Sequence, residues 1–144
     1  MELSEYKQLF LSEAEEILNS ANNVLVKLEK ESENMSLLND LFRYSHTLKS
    51  MAQSMEYEDI VKLTHSMENI LSLLRSGGLK TEKYIVELLF KSLDTLSDLV
   101  EDVKKGKMKK GRISPLVEKF EKIASAIPKA KRKTDIVHST KQVE

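Results

Sequence analysis

Apolar residues in this chain return every three or four positions, segment after segment, and never settle into a sustained alternation in twos. Leu3, Phe10, Ala14, Ile17, Ala21, Val24 and Leu28 form the first such stripe, widened by Tyr6, Leu18 and Leu25. A face of that width on a helix must pack against other helices. The spacing predicts a second helix near residues 35–54, with Leu38, Leu41, Phe42, Leu48, Ala52 and Met55 inward. It predicts a third near 58–75, with Ile60, Leu63, Met67, Ile70, Leu71 and Leu74 inward. Gly77-Gly78 supplies a left-handed stop that L-residues resist, which puts a hairpin turn at 76–80. Thr81 is expected to cap a fourth helix whose inward set is Ile85, Leu88, Leu89, Leu93, Leu96, Val100 and Val103. Ser114-Pro115 reads as N-cap and first helical position of a short fifth helix carrying Leu116, Val117, Phe120, Ile123 and Ile127, closed by Pro128. Four long helices joined by short turns favour an all-α fold, an up-and-down antiparallel four-helix bundle with a short fifth C-terminal helix. The bundle is expected over residues 1–127, followed by a flexible basic linker over 128–144, where no apolar period continues.

Charge divides the chain in the same way. Residues 1–103 hold ten Lys+Arg against nineteen Asp+Glu, a formal −9, while residues 104–144 hold thirteen against four, a formal +9. A basic end can be a nucleic-acid arm, but "KKGKMKKGR" has no aromatic residue on which a base could stack. A solvated loop is the expectation, with no nucleic-acid partner. The absence of cysteine removes disulfides, thiolate metal sites and thiol nucleophiles. The N-terminus, "MELSEYKQLFLSEAEE", is acidic where a targeting peptide is basic, and no apolar run approaches the roughly 20 residues of a membrane span. A cytoplasmic domain with no direct membrane insertion is expected.

The stretch "YSHTLKS", residues 44–50, interrupts the apolar pattern with an imidazole and an ammonium one helical turn apart. His46 and Lys49 project from one side of the second helix, with Ser50 four residues beyond the histidine. On the third helix, "HSMEN" places His65 and Glu68 at the same three-residue spacing. Antiparallel packing can bring the two pairs face to face. A carboxylate accepting Nδ1–H from His46 fixes the imidazole tautomer and leaves the Nε2 lone pair outward, an oriented nucleophile. Lys49, one turn away, can then pair with negative charge added at that nitrogen. An anionic group such as phosphoryl fits this arrangement.

"HTLKS" followed by "THSMENIL" resembles the histidine phosphotransfer domain at the N-terminus of the chemotaxis histidine kinases of the CheA type, over most of residues 1–127. The resemblance implies that His46 is the phosphoacceptor, Lys49 its phosphate-side partner, and His65 and Glu68 a supporting network. It implies that the phosphoryl comes from ATP, used with magnesium by a separate kinase domain of the same or a partner chain. It implies transfer onward to an aspartate on the receiver domain of a response regulator. The domain itself is then expected to bind no cofactor and no metal. Ser50 stands where relatives usually carry glycine, and the following "AQSMEY" lacks the glycine of their next turn. Two alternatives stay open at this level: a free-standing phosphorelay protein, and a helical bundle that only binds partners. A di-iron bundle of the ferritin type needs Glu-x-x-His on two helices, whereas His-x-x-Glu occurs here once.

Overall fold

The computed structural model describes residues 2–107 and 111–127. Five helices follow in order: α1 (Leu3–Lys30), α2 (Met35–Met55), α3 (Glu58–Ser76), α4 (Lys83–Lys105) and α5 (Ser114–Ser125). α1 packs on α2 and α4, α3 packs on α2 and α4, and α5 lies against α3. The first four close a ring because short turns force each helix antiparallel to the one before it. The expected basic linker at 128–144 and the closing role of Pro128 lie outside the described residues.

The inward stripes of α3 and α4 are buried as their spacing requires, every predicted residue at 6% exposure or less. α1 departs at its start. Leu3 and Tyr6, expected inward, are 77% and 48% exposed, because α1 runs 28 residues against 21 for α2 and its first turns outreach the partner helix. In their place Leu11 is buried at 5%. α5 contributes Phe120, 1% exposed and among the largest fully buried side chains, so this short helix closes the core rather than decorating it. Burying such a ring favours the fold by about 1.5–3 kcal/mol.

The helix ends show where local chemistry was readable. Asn34 caps α2, its side-chain oxygen accepting from the backbone N–H groups of Ser36 and Leu37. Gly77 closes α3 at φ 82°, so one glycine of the pair makes the left-handed stop. Thr81 does not cap α4: Glu82 holds that position and offers no side-chain cap, leaving Lys83 as the first helical residue. α5 starts one residue earlier than expected, with Ile113 at the cap and Ser114 already helical. The turn after α2 has no glycine, and Glu56 adopts the left-handed conformation itself, at φ 60° and ψ 33°. Two backbone bonds hold that strained residue, Glu56 N–H to the Gln53 carbonyl at 3.1 Å and Tyr57 N–H to the Ala52 carbonyl at 2.9 Å.

Candidate functional site

The site lies on the rim where α2 meets α3, one residue out of register with the core. Leu41, Ser45 and Leu48 face inward on α2. Each helical step turns about 100°, so Phe42, His46 and Lys49, one position later in each case, emerge at the seam with α3. On α3 the same rule sets Glu68 beside core Met67 and Arg75 beside core Leu74. Polar groups therefore reach the seam without interrupting the apolar stripes.

Glu68 is the hub. His46 Nδ1 lies 3.2 Å from Glu68 Oε1 and 3.3 Å from Oε2, and Lys49 Nζ donates to Oε1 at 2.7 Å. The Glu68 and Lys49 side chains are 9% and 16% exposed, while that of His46 is 59% exposed. An ionised carboxylate can only accept, so Nδ1 carries the hydrogen and donates it. The lone pair of the neutral ring then resides on Nε2, on an imidazole open to solvent. A buried carboxylate needs a partner, and Lys49 supplies the countercharge. Its ammonium and the imidazole share the same carboxylate oxygen, Oε1.

His65 stands apart. It is exposed and makes no hydrogen bond or ion pair among the described residues. Three residues turn a helix by about 300°, leaving His65 some 60° away from Glu68; at the seam that angle separates a solvated side chain from a buried one. Ser50 is likewise exposed, and its carbonyl accepts from the Ser54 hydroxyl at 3.3 Å. Two further residues join the neighbourhood. The Phe42 ring lies parallel to the His46 imidazole, 6° between planes and 6.4 Å between centroids, and the Arg75 guanidinium lies 4.1 Å from the Phe42 centroid. Phe42 was legible only as core, and Arg75 carried no motif. Their signal was positional: Phe42 precedes His46 by four residues, and Arg75 follows Glu68 by seven.

Among the described residues no group of three or more His, Cys, Asp or Glu is placed to hold a metal ion, and no helix is long and apolar enough to cross a membrane.

A four-helix bundle that carries, mid-helix, a solvent-facing histidine held by a carboxylate defines the class of protein. The chain belongs to the Hpt domain family, whose profile matches residues 5–106. It is 35% identical over 121 residues to the chemotaxis protein CheA of Bacillus subtilis, covering 84% of this chain and 18% of that protein. The chain thus spans under a fifth of the length of that relative. It is 35% identical to the CheA phosphotransferase domain from Thermotoga maritima, with a TM-score of 0.69 over 72% of this chain and 98% of that one. The phosphorylated domain of CheA3 from R. sphaeroides, solved in complex with CheY6, superposes with a TM-score of 0.79 over 88% of this chain and all of that one. At 21% identity that likeness shows the fold alone.

Proposed function

We propose that residues 1–127 form the phosphoacceptor domain of a CheA-like histidine kinase and that His46 is the residue phosphorylated. The observation that carries this is the contact of His46 Nδ1 with the Glu68 carboxylate at 3.2 Å on a ring 59% exposed. It makes Nε2 the free, accessible nucleophile.

The chemistry follows from those positions. ATP, with its magnesium, belongs to a separate kinase domain of the same or a partner chain. Nε2 attacks the γ-phosphorus; the Nε2–P bond forms as the bond from phosphorus to the ADP oxygen breaks. The ring gains positive charge as its lone pair is donated, and Glu68, already hydrogen-bonded at Nδ1, stabilises that charge where it develops. Lys49 can then leave Glu68 for the phosphoryl oxygens, a charge-assisted contact unavailable before transfer. In the return step an aspartate oxygen of a response-regulator receiver attacks phosphorus, the Nε2–P bond breaks, and the pair returns to His46. His65, exposed a turn before Glu68, is assigned an outer place in the network, acting on rate. Because the donor is ATP, the domain is placed in the cytoplasm, and the signalling output is chemotaxis.

His46→Gln tests the assignment. The amide nitrogen has no lone pair free to attack, so acceptance of labelled phosphoryl from the Bacillus subtilis CheA kinase core and ATP is expected to vanish. The surface position should leave helicity and melting temperature unchanged. Labelling of the variant at the wild-type level would overturn the assignment.

A further inference from the structure

We infer that Phe42 and Arg75 are positioning residues for His46, a clamp that fixes the plane of the imidazole; this rests on the reading of His46 as phosphoacceptor. The contact with Glu68 leaves a freedom that something else must remove. Nδ1 is nearly equidistant from the two carboxylate oxygens, 3.2 and 3.3 Å, so neither oxygen dictates the tilt of the ring. On a side chain 59% exposed, water supplies no packing to restrain it. Phe42 does, since residues four apart on a helix are neighbours and its ring lies within 6° of parallel to the imidazole. Their 6.4 Å centroid spacing falls near the long end of the 4.5–7 Å range for aromatic pairs. Phe42 itself is only partly buried, packed at the edge of the core. Left alone it could turn about its own side-chain bonds.

Arg75 removes that freedom from across the seam. Its guanidinium carbon lies 4.1 Å from the Phe42 centroid, well inside the roughly 6 Å reach of a cation–π contact. The other nearby arginine is committed elsewhere: Arg43 pairs with Asp40 at 3.1 Å and sits over Tyr44. Among the described residues no carboxylate is paired with Arg75, so the aromatic face is the contact that holds it. The sequence of restraints runs from Arg75 on α3 to Phe42 on α2 to the imidazole. Glu68 fixes the tautomer, and the clamp fixes the plane in which the Nε2 lone pair points.

Four variants of the whole chain test this: Phe42→Leu and Arg75→Gln, which remove the π face or the cation, and Phe42→Tyr and Arg75→Lys, which keep them. Phosphoramidate serves as a partner-free donor; its P–N bond breaks, ammonia leaves and the Nε2–P bond forms. Its rate of reaction with His46 is followed alongside the imidazole nitrogen NMR spectrum. Phe42→Leu and Arg75→Gln are each expected to slow phosphorylation about two- to fivefold, the size of a partly exposed cation–π or stacking contact. Both should also move the His46 nitrogen shifts, because the ring leaves its fixed plane beside Phe42, while Nδ1 stays the protonated nitrogen facing Glu68. Phe42→Tyr and Arg75→Lys should stay near wild type on both readouts. Wild-type shifts and rate in Phe42→Leu would overturn the clamp, and slowing by Arg75→Gln alone would show that Arg75 acts only through its charge. Tyr and Lys variants as slow as Leu and Gln would overturn it too. If wild type takes no phosphoryl, the acceptor reading fails, while the NMR shifts still report on the clamp.

Discussion

Among the described residues two ion-paired carboxylates are almost withdrawn from water, each beside a Lys or Arg, and one of them also meets an imidazole. Glu68, its side chain 9% exposed, receives Lys49 at 2.7 Å midway along the α2–α3 seam. Asp102, 13% exposed near the end of α4, faces Arg112 at 3.1 Å in the segment leading to α5. The second contact is misaligned as a hydrogen bond, so Asp102 Oδ2 is held by charge without a directed donor. The first carboxylate has a third partner, an imidazole that is mostly in solvent and keeps a nitrogen free. Among the described residues the Asp102 pair has none, and its effect is to tie the segment leading to α5 onto the end of α4. A buried acid with a countercharge is therefore a poor sign of function taken alone. The exposed third member, with an unused lone pair, is what the proposed phosphoacceptor role requires and the Asp102 pair lacks.

The largest effect expected from breaking this contrast is on Glu68. Glu68→Gln keeps the shape of the side chain and removes its charge, so the hold on the His46 tautomer and on the developing ring charge weakens. Phosphorylation should slow about 10- to 100-fold, as with partners that orient metal-bound histidines. Stability should change little, because Lys49 can extend its stem and carry the ammonium into water. Single-turnover phosphorylation with thermal melts of the same samples reads both. An unchanged rate would remove Glu68 from the mechanism.

Arg112→Gln should do the opposite. It leaves the Asp102 oxygen buried without its countercharge, at a cost of about 1–3 kcal/mol, seen as a lower melting temperature. The phosphorylation rate should remain within twofold of wild type, since α4 and α5 supply nothing to the seam. If Arg112→Gln slowed transfer as severely as Glu68→Gln while staying helical at the assay temperature, the contrast would collapse, and the end of α4 that holds Asp102 would have to be counted as part of the site.

The two pairs also differ in how far the sequence disclosed them. His46, Lys49 and Glu68 were legible because helical spacing places chemistry-bearing residues on the flanks of apolar stripes, and a family likeness supplied roles. The same spacing put His65 with them, but a period cannot resolve the 60° that separates the seam from solvent. Asp102 and Arg112 lie ten residues apart across a helix end, where no period operates. Leu3 and Tyr6 failed as core for a related reason: the stripe shows which face is apolar, while the length of the neighbouring helix decides whether anything covers it. Glu56 at a left-handed position was invisible because that conformation costs an L-residue roughly 1–2 kcal/mol and is normally signalled by glycine.

The smallest expected effect concerns Tyr57, next to Glu56 at the same end of the bundle as Asp102. Burial raises its phenol above the ordinary 10.0, because phenolate is disfavoured away from water. The folded state therefore binds that proton more tightly than the unfolded chain, and above pH 10 the unfolded state holds fewer protons. Stability must then fall as pH rises. The contribution of Tyr57 is complete below the unfolded value and is lost as pH climbs through the higher folded one. Tyr57→Phe deletes the ionisation and keeps the ring that meets Phe10 edge-on at 4.9 Å and 68°. A small upward shift of the alkaline unfolding midpoint is expected, with neutral-pH stability and phosphorylation rate unchanged. Circular dichroism across an alkaline titration reads the midpoint. A midpoint that stayed fixed or moved down would mean that the phenol reaches water in the folded state or holds a stabilising contact, and the end of the bundle that holds Tyr57 and Asp102 would then contrast less sharply with the seam.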